Sequence, residues 1–368
     1  MRPAETPAII PDDALAILSD TTRVTPIGTF EQEGLVLPFG IPTDDRKRHV
    51  YMIGKTGTGK TTLLANMLLS DIYAGRGVGL IDPHGDLSRD ILSRIPKHRT
   101  NDVVYFDSSD ADYPSAFNLF AGVSSELQGA TASGIVSIFK RIYGNSWGPR
   151  LEYILRNAVL SLLGTEEPTL LSVTNILTNA EYRARVLAKL DDPVLSNFWT
   201  REFERMDRRQ MTEATAPILN KIGQFLANPL LRNIVLQPKN SFSPRWIMDK
   251  GKIFIVRIPK GTIGEDTMSF LGSLLVTRFQ IDAMSRANLP PKDRREFCLY
   301  IDEFQNFAGD SFESILSEGR KFGLSLVLGN QYVSQIPDEI AQAVFGNVAS
   351  ILAFQTGPLD AGILSKVM

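Results

Sequence analysis

Cysteine is all but missing from this sequence: one residue, Cys298, in 368. A lone cysteine in an apolar run excludes a disulfide framework and points to a reducing, cytoplasmic compartment. Net charge is nearly missing too, at -2. The chain as a whole therefore carries no electrostatic footprint for nucleic acid, and any DNA contact has to come from a local patch or from a pore formed by assembly. There is no run of about 18 apolar residues, so no transmembrane helix is predicted. A peripheral place at the inner membrane is the remaining membrane option. The N-terminus, M-R-P-A-E-T-P, lacks the basic start and apolar core of a signal peptide. No pair of histidines or cysteines shows metal-ligand spacing. What is present is ordinary: 43% hydrophobic and 22% charged residues, in a length suited to one large domain with insertions or to two domains. The sequence stops at Met368 inside a helical pattern, which predicts a fragment.

Against this plain background stands H-V-Y-M-I-G-K-T-G-T-G-K-T-T-L-L, His49 to Leu64. The apolar run Val50 to Ile53 reads as a buried strand. The glycine-rich loop Gly54, Lys55, Thr56, Gly57, Thr58 and Gly59 follows. Lys60, Thr61 and Thr62 then open an apolar helical pattern through Leu63, Leu64, Met67 and Leu68. G-x-x-x-x-G-K-[ST] between a strand and a helix is a phosphate-binding loop. Its glycines let successive N–H groups point at the phosphates, and the helix N-terminus adds its dipole. Lys60 is expected to reach the β- and γ-phosphates, and the Thr61 hydroxyl to ligate Mg²⁺.

Strand-like pieces, Val24 to Phe30 and Gly34 to Pro38, precede the loop, behind an arm over residues 1–23 with one short helical candidate, Asp12 to Leu18. The basic segment Arg46-Lys47-Arg48-His49 reads as a solvated face, with nucleic-acid contact as the alternative. Gly77 to Asp86 reads as a second strand ending in an acidic turn, and Asp102 to Phe106 as a third, ending at Asp107. Strand, helix, strand, helix, strand argues a parallel sheet with crossover helices. The carboxyl ends of such strands form the ligand crevice. Asp82, His84 and Asp86 fall there, with His84 read as a turn histidine bonded to nearby backbone.

From Ser124 to Pro238 the strand signal gives way to helical periods: Ala130 to Tyr143, Leu151 to Leu163, Leu170 to Leu190, Val194 to Met206, Thr212 to Leu226 and Leu230 to Leu236. Arg201, Arg205, Arg208 and Arg209 share one helical face by spacing. Interleaved Glu202, Glu204 and Asp207 make that face a solvated, ion-paired surface, with a DNA-facing stripe as the alternative. Strands resume at Lys252 to Ile258, Phe297 to Ile301, Leu324 to Leu328 and Ala349 to Gln355. The expected organisation is α/β: a P-loop core with a mainly parallel sheet over 24–123 and 241–368, interrupted by an all-α insertion over 124–240.

The run ending in Asp302-Glu303 puts two carboxylates at a strand's carboxyl end. Asp302 suits Mg²⁺ coordination. Glu303 suits the general base that deprotonates a water attacking the γ-phosphate, which points to hydrolysis rather than transfer to a small acceptor. Gln331 ends the next strand and is read as an amide that senses the γ-phosphate or positions water. Arg320, at the end of the preceding helix, is either an arginine finger for a neighbouring subunit or a helix C-terminal arginine favoured by the dipole.

The pieces Y-M-I-G-K-T-G-T-G-K-T-T-L-L, G-L-I-D-P-H-G-D, N-S-W-G-P-R-L-E-Y-I-L-R-N-A, L-Y-I-D-E-F-Q-N-F and E-G-R-K-F-G-L-S-L-V-L-G-N-Q resemble the FtsK–HerA superfamily of DNA-pumping ATPases. Within it they are similar to the TraG/TraD-type coupling proteins of conjugative type IV secretion and their HerA-like relatives. The resemblance runs from about Gly40 to the end. It implies a RecA-like P-loop NTPase core and an ATP- and Mg²⁺-dependent ATPase that translocates DNA through a hexameric ring. It implies ATP sites between subunits, with Lys60, Thr61, Asp302, Glu303 and Gln331 from one subunit and Arg320 or Arg150 from its neighbour. Relaxase or secretion-system proteins are the implied partners. Membrane-anchored coupling proteins carry N-terminal transmembrane helices that this sequence does not show. The alternative function is a secretion ATPase that moves or recruits protein cargo without translocating DNA.

Overall fold

Short apolar runs build the centre of the molecule. A computed structural model of the chain describes residues 23–32, 34–144 and 147–367. The helical stretch expected at Asp12 to Leu18 lies outside the described residues. An antiparallel hairpin comes first, β1 (Val24–Gln32) with β2 (Leu35–Pro42). The first βαβ units follow: β3 (Val50–Ile53), α1 (Lys60–Tyr73), β4 (Gly77–Asp82), α2 (Asp86–Ser93) and β5 (Val103–Asp107). Helices then take over: α3 (Gln128–Tyr143), α4 (Pro149–Leu163), α5 (Leu170–Thr178), α6 (Ala180–Leu187), α7 (Pro193–Asn197), α8 (Arg208–Ala227), α9 (Pro229–Val235) and α10 (Pro244–Lys250). The α/β alternation resumes with β6 (Ile253–Arg257), α11 (Glu265–Met284), β7 (Phe297–Ile301), α12 (Asp310–Glu318), β8 (Leu324–Asn330), α13 (Asp338–Asn347), β9 (Ser350–Ala353) and α14 (Pro358–Leu364).

Seven strands among the described residues form one sheet in the order β5-β6-β4-β7-β8-β3-β9. Every pairing in it is parallel, as the alternating pattern predicted. Side chains of a strand alternate between faces, and the buried residues divide accordingly. Val50, Met52, Val78, Leu80 and Tyr300 pack with α1 on one face. Tyr51, Ile53, Ile81, Leu299 and Ile301 pack with α11 and the helical segment on the other. Helix α11 is buried nearly all round from Thr267 to Phe279, as a helix sandwiched between sheet and other helices must be. Its outer neighbour is α3.

Two readings of the sequence change here. The stretch around the four arginines is not one helix. After α7 the chain passes through a π-helical turn, Phe198–Phe203. Asp207 then starts α8 with a capping box: its carboxylate accepts the Gln210 N–H at 2.8 Å, and the Gln210 side chain reaches back. Arg201 and Arg205 therefore precede α8 while Arg208 and Arg209 lie on it, and the shared face does not form. All four side chains are exposed. A break at Asn179, which caps α6 by accepting the Tyr182 N–H at 3.0 Å, likewise splits the helix expected over Leu170 to Leu190.

The basic segment before β3 is only half solvated. Lys47 and Arg48 are surface residues paired with Asp44, Glu296 and Asp45. Arg46 is buried. Its guanidinium holds the equally buried Asp71 of α1 at 2.6 and 2.8 Å, and also Thr25 and the Tyr300 hydroxyl. His49 is buried as well; its Nδ1 accepts the Leu326 N–H at 3.0 Å, which leaves Nε2–H to donate to the Leu316 carbonyl at 3.2 Å. Both side chains tie β3 and α1 to neighbouring strands rather than facing a ligand.

Candidate nucleotide site

Parallel strands bring their carboxyl ends to one edge of the sheet, and there the loops after β3, β4, β7 and β8 meet. The loop after β3 is anchored on both sides: Lys55 N–H bonds to the Gln355 carbonyl at 2.9 Å, and Gly54 N–H to Asn330 at 3.4 Å. Gly54 sits so close to β9 that an added Cβ would lie 2.5 Å from Cβ of Phe354. Gly59, the residue before α1, has φ +103°, where side chains are strained. No side chain caps α1, so its first N–H groups point at a space suited to an anion.

Lys60 is buried, and its ammonium folds back on the carbonyls of Gly54 and, at 2.8 Å, Lys55. Burial holds its pKa below the ordinary lysine value. Thr58 closes the loop on itself by donating to the Lys55 carbonyl at 2.8 Å. The Thr61 hydroxyl lies 3.1 Å from Asp302 Oδ2. Burial pushes the Asp302 carboxyl above its usual range, and the nearby Glu303 and Asp82 add to the effect. A buried carboxylate and a hydroxyl converging on one space are a donor set that fits a divalent ion. Among the described residues no group of three or more His, Cys, Asp or Glu could hold a metal. Mg²⁺ there would take its other ligands from phosphates and water, its habit in nucleotide sites.

Glu303 occupies the left-handed region, φ 47° and ψ 48°, a conformation costing a non-glycine residue roughly 1 kcal/mol. The turn aims its carboxylate into the same space. Gln331 Nε2 donates to Oε1 at 2.9 Å. On the other side Oε2 lies 3.0 Å from His84 Nε2 and 3.4 Å from the Asn306 amide. These bonds, that to His84 first, hold Glu303 below the ordinary glutamate pKa, and Glu303 raises that of His84 in turn. Asn330, which ends β8, is committed elsewhere: its oxygen accepts from Tyr51 at 2.7 Å and its amide donates to the Tyr332 carbonyl at 2.8 Å. That leaves Gln331 as the amide at this strand end that reaches the Glu303 carboxylate.

The resulting cavity is about 320 Å³. Thr56, Gly57, Gly59, Lys60, Thr61, Thr62, Asp302, Glu303 and Gln331 line it, joined by His84 and Asn330. Gly54, Lys55 and Thr58 form the loop beneath it. A roomier cleft of about 780 Å³, near Phe120, Pro168 and Phe242, holds none of these residues. Chemistry rather than size marks the smaller one. Two arginines stay outside. Arg320 lies in the turn before β8, at the opposite end of the sheet, on a separate cavity of about 500 Å³ shared with Lys47, Arg294 and Lys321. Arg150 is exposed in the first turn of α4, its Nη2 3.4 Å from the Met206 sulfur.

The sequence reading missed the ring of His84. Its backbone N–H does bond within the turn, to Asp82 Oδ1 at 3.0 Å, but the imidazole crosses to Glu303. The position at the end of β4 was a legible signal; that β4 lies beside β7 was not.

A family model described as the type IV secretion-system coupling protein DNA-binding domain matches residues 36–362. Among solved structures, the chain is similar to the bacterial conjugative coupling protein TrwBdeltaN70 in its unbound monoclinic form, with a TM-score of 0.61 and 20% identity over 85% of this chain and 69% of that one. It is similar to the plasmid coupling protein TrwB in complex with ADP and Mg²⁺, with a TM-score of 0.61 and 20% identity over 94% and 78%. VirB4 of Thermoanaerobacter pseudethanolicus matches with a TM-score of 0.60 and 12% identity over 93% and 87%. These likenesses establish the RecA-like P-loop ATPase fold. No curated protein sequence matches the chain.

Proposed function

The chain belongs to the family of type IV secretion-system coupling protein DNA-binding domains, in the FtsK–HerA class of P-loop ATPases, and from that membership we infer that it is an ATP-hydrolysing motor that translocates DNA as a hexameric ring. The observation that carries the hydrolytic part is the convergence of Lys60, the Thr61–Asp302 pair and the Glu303–Gln331 pair on one cavity. The N–H groups at the start of α1 hold the phosphates. Lys60 exchanges two backbone carbonyls for the β- and γ-phosphate oxygens. Thr61 and Asp302 are the residues that would hold Mg²⁺, which when bound neutralises phosphate charge. Glu303 orients the attacking water and takes its proton, while Gln331 fixes the carboxylate from one side.

Arg320 sits at the sheet edge opposite the nucleotide cavity of its own chain, a place that supports the reading of it as a residue offered to a neighbour's nucleotide in a ring. Arg150, exposed on α4, is the second candidate for that role. No helix among the described residues is long and apolar enough to cross a membrane. A cytoplasmic motor, recruited to the inner membrane by secretion-system proteins or a relaxase, fits the near-neutral charge.

That same charge is compatible with a second reading, an ATPase that moves protein cargo. Turnover with and without DNA separates the two. The motor is expected to be DNA-stimulated and to bind DNA with a steep salt dependence. Lys60→Ala is expected to abolish turnover. Glu303→Gln should lower kcat by about 100-fold or more while ATP still binds. Undiminished hydrolysis in both variants would sink the site; DNA-indifferent hydrolysis would leave the cargo reading.

A further inference from the structure

We infer that His84 is a positioning residue for Glu303, fixing the direction in which that carboxylate faces the attacking water. The inference rests on the hydrolytic reading of Glu303. His84 Nε2 lies 3.0 Å from Glu303 Oε2, and its side chain is 53% exposed. A ring that open fills no core, so its place is not explained by packing. Metal ligation does not explain it either, since the described residues offer no cluster of ligands around it.

The turn beneath the ring is held at several points. Asp82, 1% exposed, accepts the N–H groups of His84 at 3.0 Å and Ser88 at 2.8 Å. The Ser88 hydroxyl donates to the Gly85 carbonyl at 3.0 Å. The Pro83 carbonyl accepts the Lys260 N–H at 3.0 Å, and Gly85 takes φ +91° against Arg257. His84 is thus presented from a fixed backbone. Glu303, by contrast, leans on its neighbours: Gln331 takes Oε1 and His84 takes Oε2, with Asn306 contributing a longer contact. Gripping a carboxylate from both sides leaves one orientation for the lone pair that meets the water. With one grip gone, the group rotates about the other, and misplacement by about 1 Å can cost about 100-fold in rate.

The test is steady-state ATP hydrolysis and ATP binding by the full chain. His84→Ala is expected to lower kcat by about 10- to 100-fold, with the Kd for ATP changed less than about two-fold and the melting temperature unmoved. His84→Gln, whose amide can donate to the same oxygen, is expected to restore most of the rate. In a Glu303→Gln background His84→Ala should add little, because both changes act through one carboxylate. An unchanged kcat in His84→Ala, with turnover lost in Glu303→Gln, overturns the inference alone. So does a drop in ATP affinity that accounts for the whole loss. No turnover in the wild-type protein, or full turnover in Glu303→Gln, removes the hydrolytic reading, and the inference falls with it.

Discussion

Replacing Asp71 by alanine is expected to be among the most destabilising single changes outside the nucleotide cavity. Asp71 lies on the buried face of α1, and its carboxylate accepts from Arg46 at 2.6 and 2.8 Å, from the Tyr300 hydroxyl at 2.6 Å and from Arg76 at 2.6 Å. Asp71→Ala strips four donors of their acceptor at once. The guanidinium of Arg46, 5% exposed, would keep Thr25 Oγ1 and the Tyr300 hydroxyl but lose its counter-charge. Breaking a buried pair in this way costs about 3–5 kcal/mol, because an uncompensated charge stays in the interior. That is a large part of a total stability of about 5–15 kcal/mol. Urea unfolding followed by circular dichroism measures it. A companion triple variant, Arg46→Met with Asp71→Leu and Tyr300→Phe, removes the buried Arg46 charge together with Asp71 and the Tyr300 hydroxyl and leaves Arg76 its contact with Thr43. It is expected to regain most of the loss, since apolar replacement of a buried ion pair is often neutral or better. A cost below about 1 kcal/mol for Asp71→Ala would refute the reasoning. The triple variant also decides the nucleic-acid alternative for this basic segment: a buried Arg46 leaves the salt slope of DNA binding unchanged, whereas loss of a phosphate contact would reduce it by about 1.

Two further expectations concern burial. Burial holds His49 neutral, with its pKa lowered from 6.5 to about 4. The folded state therefore binds fewer protons, and the contribution of His49 is complete above pH 6.5 and lost as pH falls toward 4; stability should drop by about 2 kcal/mol between pH 7 and pH 5 in urea titrations, and His49→Gln should flatten that window. Arg141 of α3 donates to the Ala308 and Asn306 carbonyls and to Ser269, and burial lowers its pKa to about 10; Arg141→Leu takes the donor from Ala308 while Ser269 still donates to Asn306, and should cost about 1–3 kcal/mol in the same assay.

How much was legible depended on whether a signal was local. The loop after β3 was readable because strand, glycines, lysine and helix are consecutive, and Asp302-Glu303 because a short apolar run ends in them. Asp71 was a missed local signal: an acid at helical spacing from Leu64, Met67 and Leu68 sits in the apolar stripe of α1, and an inward acid demands an inward base. The break before α8 was also readable, since Asp207 and Gln210 have capping-box spacing. So was α13, where Ile340, Ala341 and Val344 recur on one face. Strand order was not local. That β4 lies against β7, and β8 between β7 and β3, is set by packing across the whole chain, so the partnership of His84 with Glu303 has no signature in either segment.

The sheet order explains why this edge works as one site when no single strand contains it. Along β4-β7-β8-β3, each carboxyl end supplies one part: His84, then Asp302 and Glu303, then Gln331, then the loop with Lys60 and Thr61. Glu303 is on the second of these, so His84 meets it from one side and Gln331 from the other, which is why its two oxygens are held by different strands. The same ordering concentrates charge. Asp302 is pushed toward its neutral form by burial with Glu303 and Asp82 close by, while Lys60, the lysine that lines the cavity, has its charge discouraged by burial. A polyphosphate would bring further negative charge beside the Asp302 and Glu303 carboxylates. Thr61 and Asp302 are the residues that would hold a divalent cation there, which would offset the carboxylates and give the buried Asp302 a counter-charge. On the proposed hydrolytic reading, the electrostatics of this edge thus favour nucleotide and cation binding together, with Lys60 exchanging its backbone carbonyls for phosphate oxygens.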